Sequence, residues 1–263
     1  MYWAIRISSG HNAGIAMDKV VFLAMSGARE NMLAQRAHSN NLANATTNGF
    51  KSDLAQARAM QVFGEGHASR VYAQTERPAT DLTGGTLIET GRQLDVAIDG
   101  EGWIAVQRPD GTQGLTRAGQ LQINANGQLV TGSGLRVIGN GDVPIVLPPA
   151  GKVDLAVDGS ISVLPLGEAA TELVLVDQIK MVNPDPKTLF KGTDGLMRTG
   201  ANEPLLPDLN IKIRSGYLES SNVNAVTELT SILSLSRQYE VQVKMMKTAE
   251  ENSTAATQIL KLS

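Results

Sequence analysis

The chain has 263 residues and a net charge of −3, with acids and bases interspersed and no basic field suited to nucleic acid or an anionic membrane. It has no cysteine, which excludes disulfides, thiolate metal sites and a cysteine nucleophile. Its length allows a substantial core in one large or two ordinary domains, and aromatics at 4% argue against a large aromatic-lined pocket.

Met1–Ala16 carry a single charge, Arg6, and lack the regions of a secretory signal. They read as an upstream-start or appended extension, disordered, with the working protein beginning at Met17. No apolar run approaches the roughly 18 residues of a membrane span.

Asp18–Ala43 reads as a helix capped by Asp18. Val21, Met25, Ala28, Met32 and Leu42 fall on a 4-3 repeat, with Gln35 and Ser39 on the same seam. Gly27 inside it either costs about 1 kcal/mol relative to alanine or permits close helix approach. The run Asn40 to Lys51, rich in Asn and Thr, ends the helix because these side chains compete for backbone hydrogen bonds. Asn48-Gly49 is a turn signal.

Ser52–Thr80 reads as an extended connector, with Leu54–Val62 open to a helical extension and Val71–Thr75 to a strand. Leu82–Tyr217 is turn-rich. All ten prolines lie between Pro78 and Pro207, and 22 of the 26 glycines lie between Gly64 and Gly216. Short β-type runs alternate there with glycine turns, the pattern of an antiparallel domain. Leu94–Ile98 alternates, turns at Asp99-Gly100 and returns as Trp103–Gln107. Leu121–Ile123 and Gln128–Val130 flank a hairpin turn, as do Val153–Val157 and Ile161–Leu164. Leu173–Met181 is a longer apolar run and reads as a central strand, stopped at Asn183-Pro184.

From Tyr217 to the end there is neither Gly nor Pro. Asn224 can cap a helix reaching Leu262, and Glu228 suits its first turn. Leu229, Ile232, Tyr239, Val243, Met246 and Leu260 lie on a 3.5-residue seam, with Ser236, Glu250, Ser253 and Thr257 at its other sites. Such a helix has no interior of its own and needs a partner. The N-terminal helix is one candidate. The plainer alternative is that each helix covers a face of a globular core.

Sites of chemistry are few. His11, His38 and His67 share no ligand spacing, and no zinc, phosphate-loop, dinucleotide or nucleophile-elbow motif is present. Asp95 and Asp99 could be paired carboxylates but read as solvated turn residues. Trp103 could stack on a sugar but reads as core, and His38 as a surface or seam residue. No cofactor, metal or enzymatic activity is expected.

Three separated patterns resemble one family. Asn40-Asn41-Leu42-Ala43-Asn44 with Thr47-Asn48-Gly49-Phe50-Lys51 is similar to the N-terminal signature of bacterial flagellar rod and hook proteins. Leu94-Asp95-Val96-Ala97-Ile98-Asp99-Gly100-Glu101-Gly102-Trp103 resembles the family's middle motif, with Trp103 where Phe is usual, continued by Thr116-Arg117-Ala118-Gly119 and Gly127–Val130. Gly216–Asn224 and Arg237-Gln238-Tyr239-Glu240 resemble the C-terminal signature. Met17-Asp18, Ala24–Ala28, Asp194–Arg198 and Met245–Asn252 resemble the proximal rod members, with distal rod members the other reading. The sixteen-residue leader departs from the pattern.

The resemblance implies an α+β fold, with long N- and C-terminal helices packed as a coiled-coil-like pair and a central, mainly antiparallel β domain. The expected organisation is 17–51 helix and signature, 52–81 connector, 82–217 β domain and 218–263 helix. It implies a structural subunit stacking helically around an axial channel and exported without a cleaved signal by the flagellar type III apparatus. Its expected partners are itself and other rod proteins, with no nucleic acid and no membrane insertion. The expected subunit interface comprises Val21, Met25, Ala28, Met32, Leu42, Asn44, Phe50, Val226, Leu229, Ile232, Tyr239, Val243, Met246 and Leu260. Two readings outside the family are a secreted glycan-binding module built around an exposed Trp103 and a hydrolase using Asp95 and Asp99.

Overall fold

The computed structural model describes residues 11–54, 57–61, 71–75, 79–165, 173–200 and 205–261. The chain divides into two compact units. One holds both long helices and most of the connector, and the other holds 43–52 and 80–224.

Helix α1 is His11–Ala43 and helix α2 is Ala225–Lys261. The 37 residues of α2 make it about 55 Å long at 1.5 Å per residue. Its start follows directly on Asn224, and it runs unbroken because nothing in it removes a backbone donor or favours a turn. α1 ends where the Asn-rich run predicts. Its start differs. Residues 11–16 are helical and Asp18 lies inside the helix, so it is not the cap. The first ten residues of the expected leader lie outside the described residues.

Within the helical unit, α1 and α2 touch in antiparallel order. A Cβ on Gly27 would lie 3.0 Å from the Gln242 amide, and His38 meets Glu228. The connector carries an antiparallel hairpin, Ala57–Gln61 with Val71–Thr75, in place of a helical extension.

The β unit is antiparallel at every described strand pairing of its main sheet. Trp103–Gln107 is the central strand. It pairs with Gln113–Thr116 on one side and with Arg136–Val137 and Met181–Val182 on the other. The predicted hairpins at 121–131 and 150–165 form as expected. Two expectations fail. Leu173–Met181 is not one central strand: Val174–Gln178 is the edge of a separate three-stranded sheet, with Leu175 exposed, and Met181–Val182 joins the main sheet. Val96–Asp99 does not pair with Trp103–Gln107 but with Lys212–Ser215, more than a hundred residues downstream. Val96, Ala97 and Ile98 are all buried, so both faces of that strand are covered and its alternation does not mark a solvent side.

The larger core gathers Val96, Ile98, Ile104, Leu121, Leu129 and Ile161 among others, and a smaller one surrounds Trp103. Gly119 lets two strands meet. Val96 donates its N–H to the Gly119 carbonyl at 2.9 Å, and a Cβ on Gly119 would sit 1.6 Å from the Val96 carbonyl oxygen.

Candidate functional site

The long-range pairings bring the three motifs to one place inside the β unit. Tyr217–Glu219 pairs with Leu87–Glu89, and the Gly49 N–H donates to the Glu219 carbonyl at 2.8 Å. Gly49 has φ +68, and a Cβ there would lie 2.2 Å from the Arg117 carbonyl carbon. Only glycine fits both the backbone angle and that approach.

At the junction lies a buried ionic hub. Lys51, from the first motif, donates to Glu219 Oε1 at 2.6 Å and to the Thr83 carbonyl at 2.7 Å. Arg117, from the second, donates to Glu219 Oε2 at 2.9 Å and to the Gly100 carbonyl at 2.7 Å. The Gly85 N–H completes the carboxylate at 3.0 Å. Lys51, Arg117 and Glu219 are 3%, 8% and 2% exposed, so each charge depends on the others. Burial pushes the Lys51 ammonium below its ordinary value of 10.5, against the bond and charge of Glu219. Burial alone would raise the Glu219 carboxyl. The bonds from Lys51 and Gly85, with the charges of Arg117 and Lys51, outweigh it and hold the group below 4.5. A carboxylate held this way is ionised and fully engaged, which suits a structural tie and not proton transfer.

Neighbouring contacts tighten the junction. Asn222 accepts from the Ser52 N–H at 2.8 Å and donates to the Asp81 carbonyl at 3.0 Å. The Lys191 ammonium lies 3.7 Å from the Phe50 ring centre and donates to the Lys51 carbonyl. Trp103 is 5% exposed, with the Arg117 guanidinium 5.5 Å from its ring centre. Sequence reasoning quoted Lys51, Arg117 and Glu219 within motifs but assigned them no role. The available signal was a charged residue directly after an apolar one in Phe50-Lys51 and Leu218-Glu219, with none of comparable kind at Arg117.

These positions also bear on the two readings outside the family. The glycan reading required an exposed aromatic platform, and Trp103 is core. Asp95 is buried, against the expectation of a solvated turn residue, because Arg92 grips it at 3.0 and 2.6 Å and Thr90 donates to it. Asp99 is exposed and held separately by Arg214. The two carboxylates serve different arginines. Among the described residues no group of His, Asp and Glu is arranged to hold a metal, and no helix is long and apolar enough to cross a membrane.

In the helical unit the inward face differs from the expected seam. On α1, Ala24 and Ala28 are buried, with Asn31, Gln35, His38 and Leu42 half-buried, while Met25 and Met32 are 57% and 53% exposed. On α2 the heptad Glu228, Leu235, Gln242, Ala249 is inward, with Ile232 and Met246 half-buried. Leu229, Tyr239 and Val243 are exposed, and Val226 is 71% exposed. Each helix therefore turns inward on one layer of the expected seam and on the positions adjacent to the other. Val21 is half-buried, Asn44 and Phe50 are half-buried in the turn after α1, and the Leu260 side chain lies outside the described residues.

Comparison with known proteins meets this geometry. The family model described as the flagellar basal body rod FlgEFG protein C-terminal matches residues 214–259, and that described as the flagellar hook protein FlgE/F/G D1 domain matches residues 97–163. The flagellar basal-body rod protein FlgF of Escherichia coli K12 is 36% identical over 253 residues, covering 94% of this chain and all of the relative. The chain belongs to the flagellar basal-body rod protein family. FlgF of Salmonella typhimurium is 37% identical over the same shares, and FlgG of Agrobacterium fabrum is 32% identical over 85% of this chain and 92% of its own. Membership in the rod family makes the chain a structural rod subunit. Arg117 lies in one family-model match and Glu219 in the other, so the hub bonds the two matched segments of this rod protein.

Proposed function

We propose that this chain is a subunit of the proximal part of the rod, built into a helical polymer through its terminal helices. The observation that carries the reading is the likeness, over the whole length of those two relatives, to the FlgF proteins of Escherichia coli and Salmonella typhimurium at 36–37% identity, against 30–32% for the FlgG relatives and 26–32% for other FlgF proteins. In this reading α1 and α2 form an antiparallel, coiled-coil-like pair. The residues left uncovered, Met25, Met32, Val226, Leu229, Tyr239 and Val243, pack on neighbouring copies and other rod proteins. Exposed apolar side chains along two long helices support this, because a chain that stayed monomeric would leave that surface in water. Stacking is head-to-tail and does not close a ring, so it grows into a shaft around the export channel and transmits torque. The subunit reaches the periplasmic rod through the flagellar type III apparatus without a cleaved signal. It works without catalysis, cofactor, nucleic acid or membrane insertion.

The test is recovery of the chain with detergent-extracted basal bodies after a high-salt wash, together with loss of hook and filament in a deletion strain. Normal swimming without the protein would reject the rod reading. Cross-links to the distal segment alone would reject the proximal one.

A further inference from the structure

Both helices carry two candidate seams that share one layer, with Ala28, Gln35 and Leu42 on α1 and Ile232 and Met246 on α2, and differ by one residue in the other. The differing layer turned inward is mostly small and polar: Ala24, Asn31 and His38 against Glu228, Leu235, Gln242 and Ala249. The seam left out is richer in apolar side chains, with Met25 and Met32 on α1 and Leu229 and Val243 on α2. Apolar burial alone favours the second arrangement, which a roll of each helix by about 50°, half the angle between successive residues, would produce. Another interaction overrides it.

The polar cluster near the end of α1 is placed to do so. Glu228, in the first turn of α2, is 9% exposed. Its Oε2 lies 2.5 Å from His38 Nδ1, and its Oε1 accepts from Asn41 Nδ2 at 3.3 Å. Asn41, 1% exposed, also bonds both backbone groups of Asp53, accepting from its N–H at 2.8 Å and donating to its carbonyl at 2.9 Å. Asn40 donates to the Asp53 carboxylate at 2.9 Å. The side chain of Asn41 is thus fixed to the chain beyond α1 while it holds Glu228. Rolling either helix would strip Glu228 of its partners, and a buried polar group without partners is costly.

We propose that the Glu228–His38–Asn41 cluster selects which faces of α1 and α2 meet, and so keeps the more apolar faces outward. This rests on the reading of the helices as a packed pair. The cluster acts as a polar residue at a core position does in a coiled coil, giving up apolar burial to specify one arrangement. The alternative is that the chain connections at the helix ends set the face, with the cluster a passenger.

The cysteine-free sequence makes the test direct. In the full-length chain, Gly27→Cys with Gln242→Cys reports the observed faces, and Met25→Cys with Val243→Cys reports the rolled ones. Under mild oxidation the first pair cross-links and the second does not. Adding His38→Leu and Glu228→Leu reverses the ratio of the two by at least about tenfold, the change that roughly 1.4 kcal/mol produces. Glu228→Gln, which keeps hydrogen-bonding capacity, retains the original preference. An unchanged preference in the double-Leu chain overturns the proposal in favour of the connections. Loss of both cross-links there also overturns it, since the cluster would then hold the pair together without choosing its face. Failure of the first pair in the otherwise unsubstituted chain rejects the helix pairing itself, independently of face selection.

Discussion

At the scale of single residues, the hub concentrates the energetic cost of change. Glu219→Ala leaves two cations buried without their carboxylate and should destabilise the β unit by about 3–5 kcal/mol, measured as a fall in the urea midpoint at constant slope. The hub also has a pH signature. Because the folded Glu219 carboxyl titrates below its ordinary 4.5, its stabilisation is complete above that value and is lost as pH falls through the lowered one. Lys51 has the opposite role. Its lowered value marks a cost of burying charge that persists through neutral pH and is relieved as pH rises toward 10.5. Replacing Glu219 with Gln should therefore flatten the part of the acid limb of the stability curve that lies below pH 4.5. An unchanged limb would mean that other carboxylates carry the acid sensitivity. Gly49→Ala tests the backbone side of the junction. Positive φ and the approach to Arg117 together predict a loss of roughly 2 kcal/mol or more, and a neutral result would show that the turn can relax.

The elements separate two kinds of sequence signal. The end of α1, the extent of α2 and the hairpins at 121–131 and 150–165 follow from local chemistry, because turn residues act on the residues beside them. The face a helix buries does not follow so readily. The 4-3 pattern of α1 fits two seams that share one layer and differ by one residue in the other, and the exposed Met25 and Met32 show that the more apolar one is not the one used. On the rod reading these outward residues serve assembly. Leu229→Glu or Val243→Glu should leave the chain's own stability within about 0.5 kcal/mol, as exposed sites do, yet prevent recovery in basal bodies. A variant that is recovered normally would remove that face from the interface.

At the scale of the whole molecule, the β unit is discontinuous in sequence. It takes in 43–52 as well as 80–224, and composition alone suggested limits of 82 and 217. The narrower fragment omits Lys51 and Glu219 and leaves Arg117 buried without its carboxylate. A fragment spanning 43–224 should unfold in one cooperative transition, while one spanning 82–217 should be less stable by several kcal/mol, on the order of a broken buried ion pair. Equal denaturant midpoints would show that the hub contributes nothing net to stability.

The sequence by itself determined the extent of α2, the end of α1, the turn-rich middle, its hairpins at 121–131 and 150–165, and the family. Each rests on interactions between near neighbours or on motifs read directly from the chain. Only the tertiary structure decided that Val96–Asp99 pairs with Lys212–Ser215, that Trp103–Gln107 is the central strand, that Lys51 and Arg117 share Glu219, and that both helices turn their small, polar faces inward. Burial and ion pairing are relations between distant residues. An apolar run or a lone charge shows that a partner is needed, and the fold supplies which one.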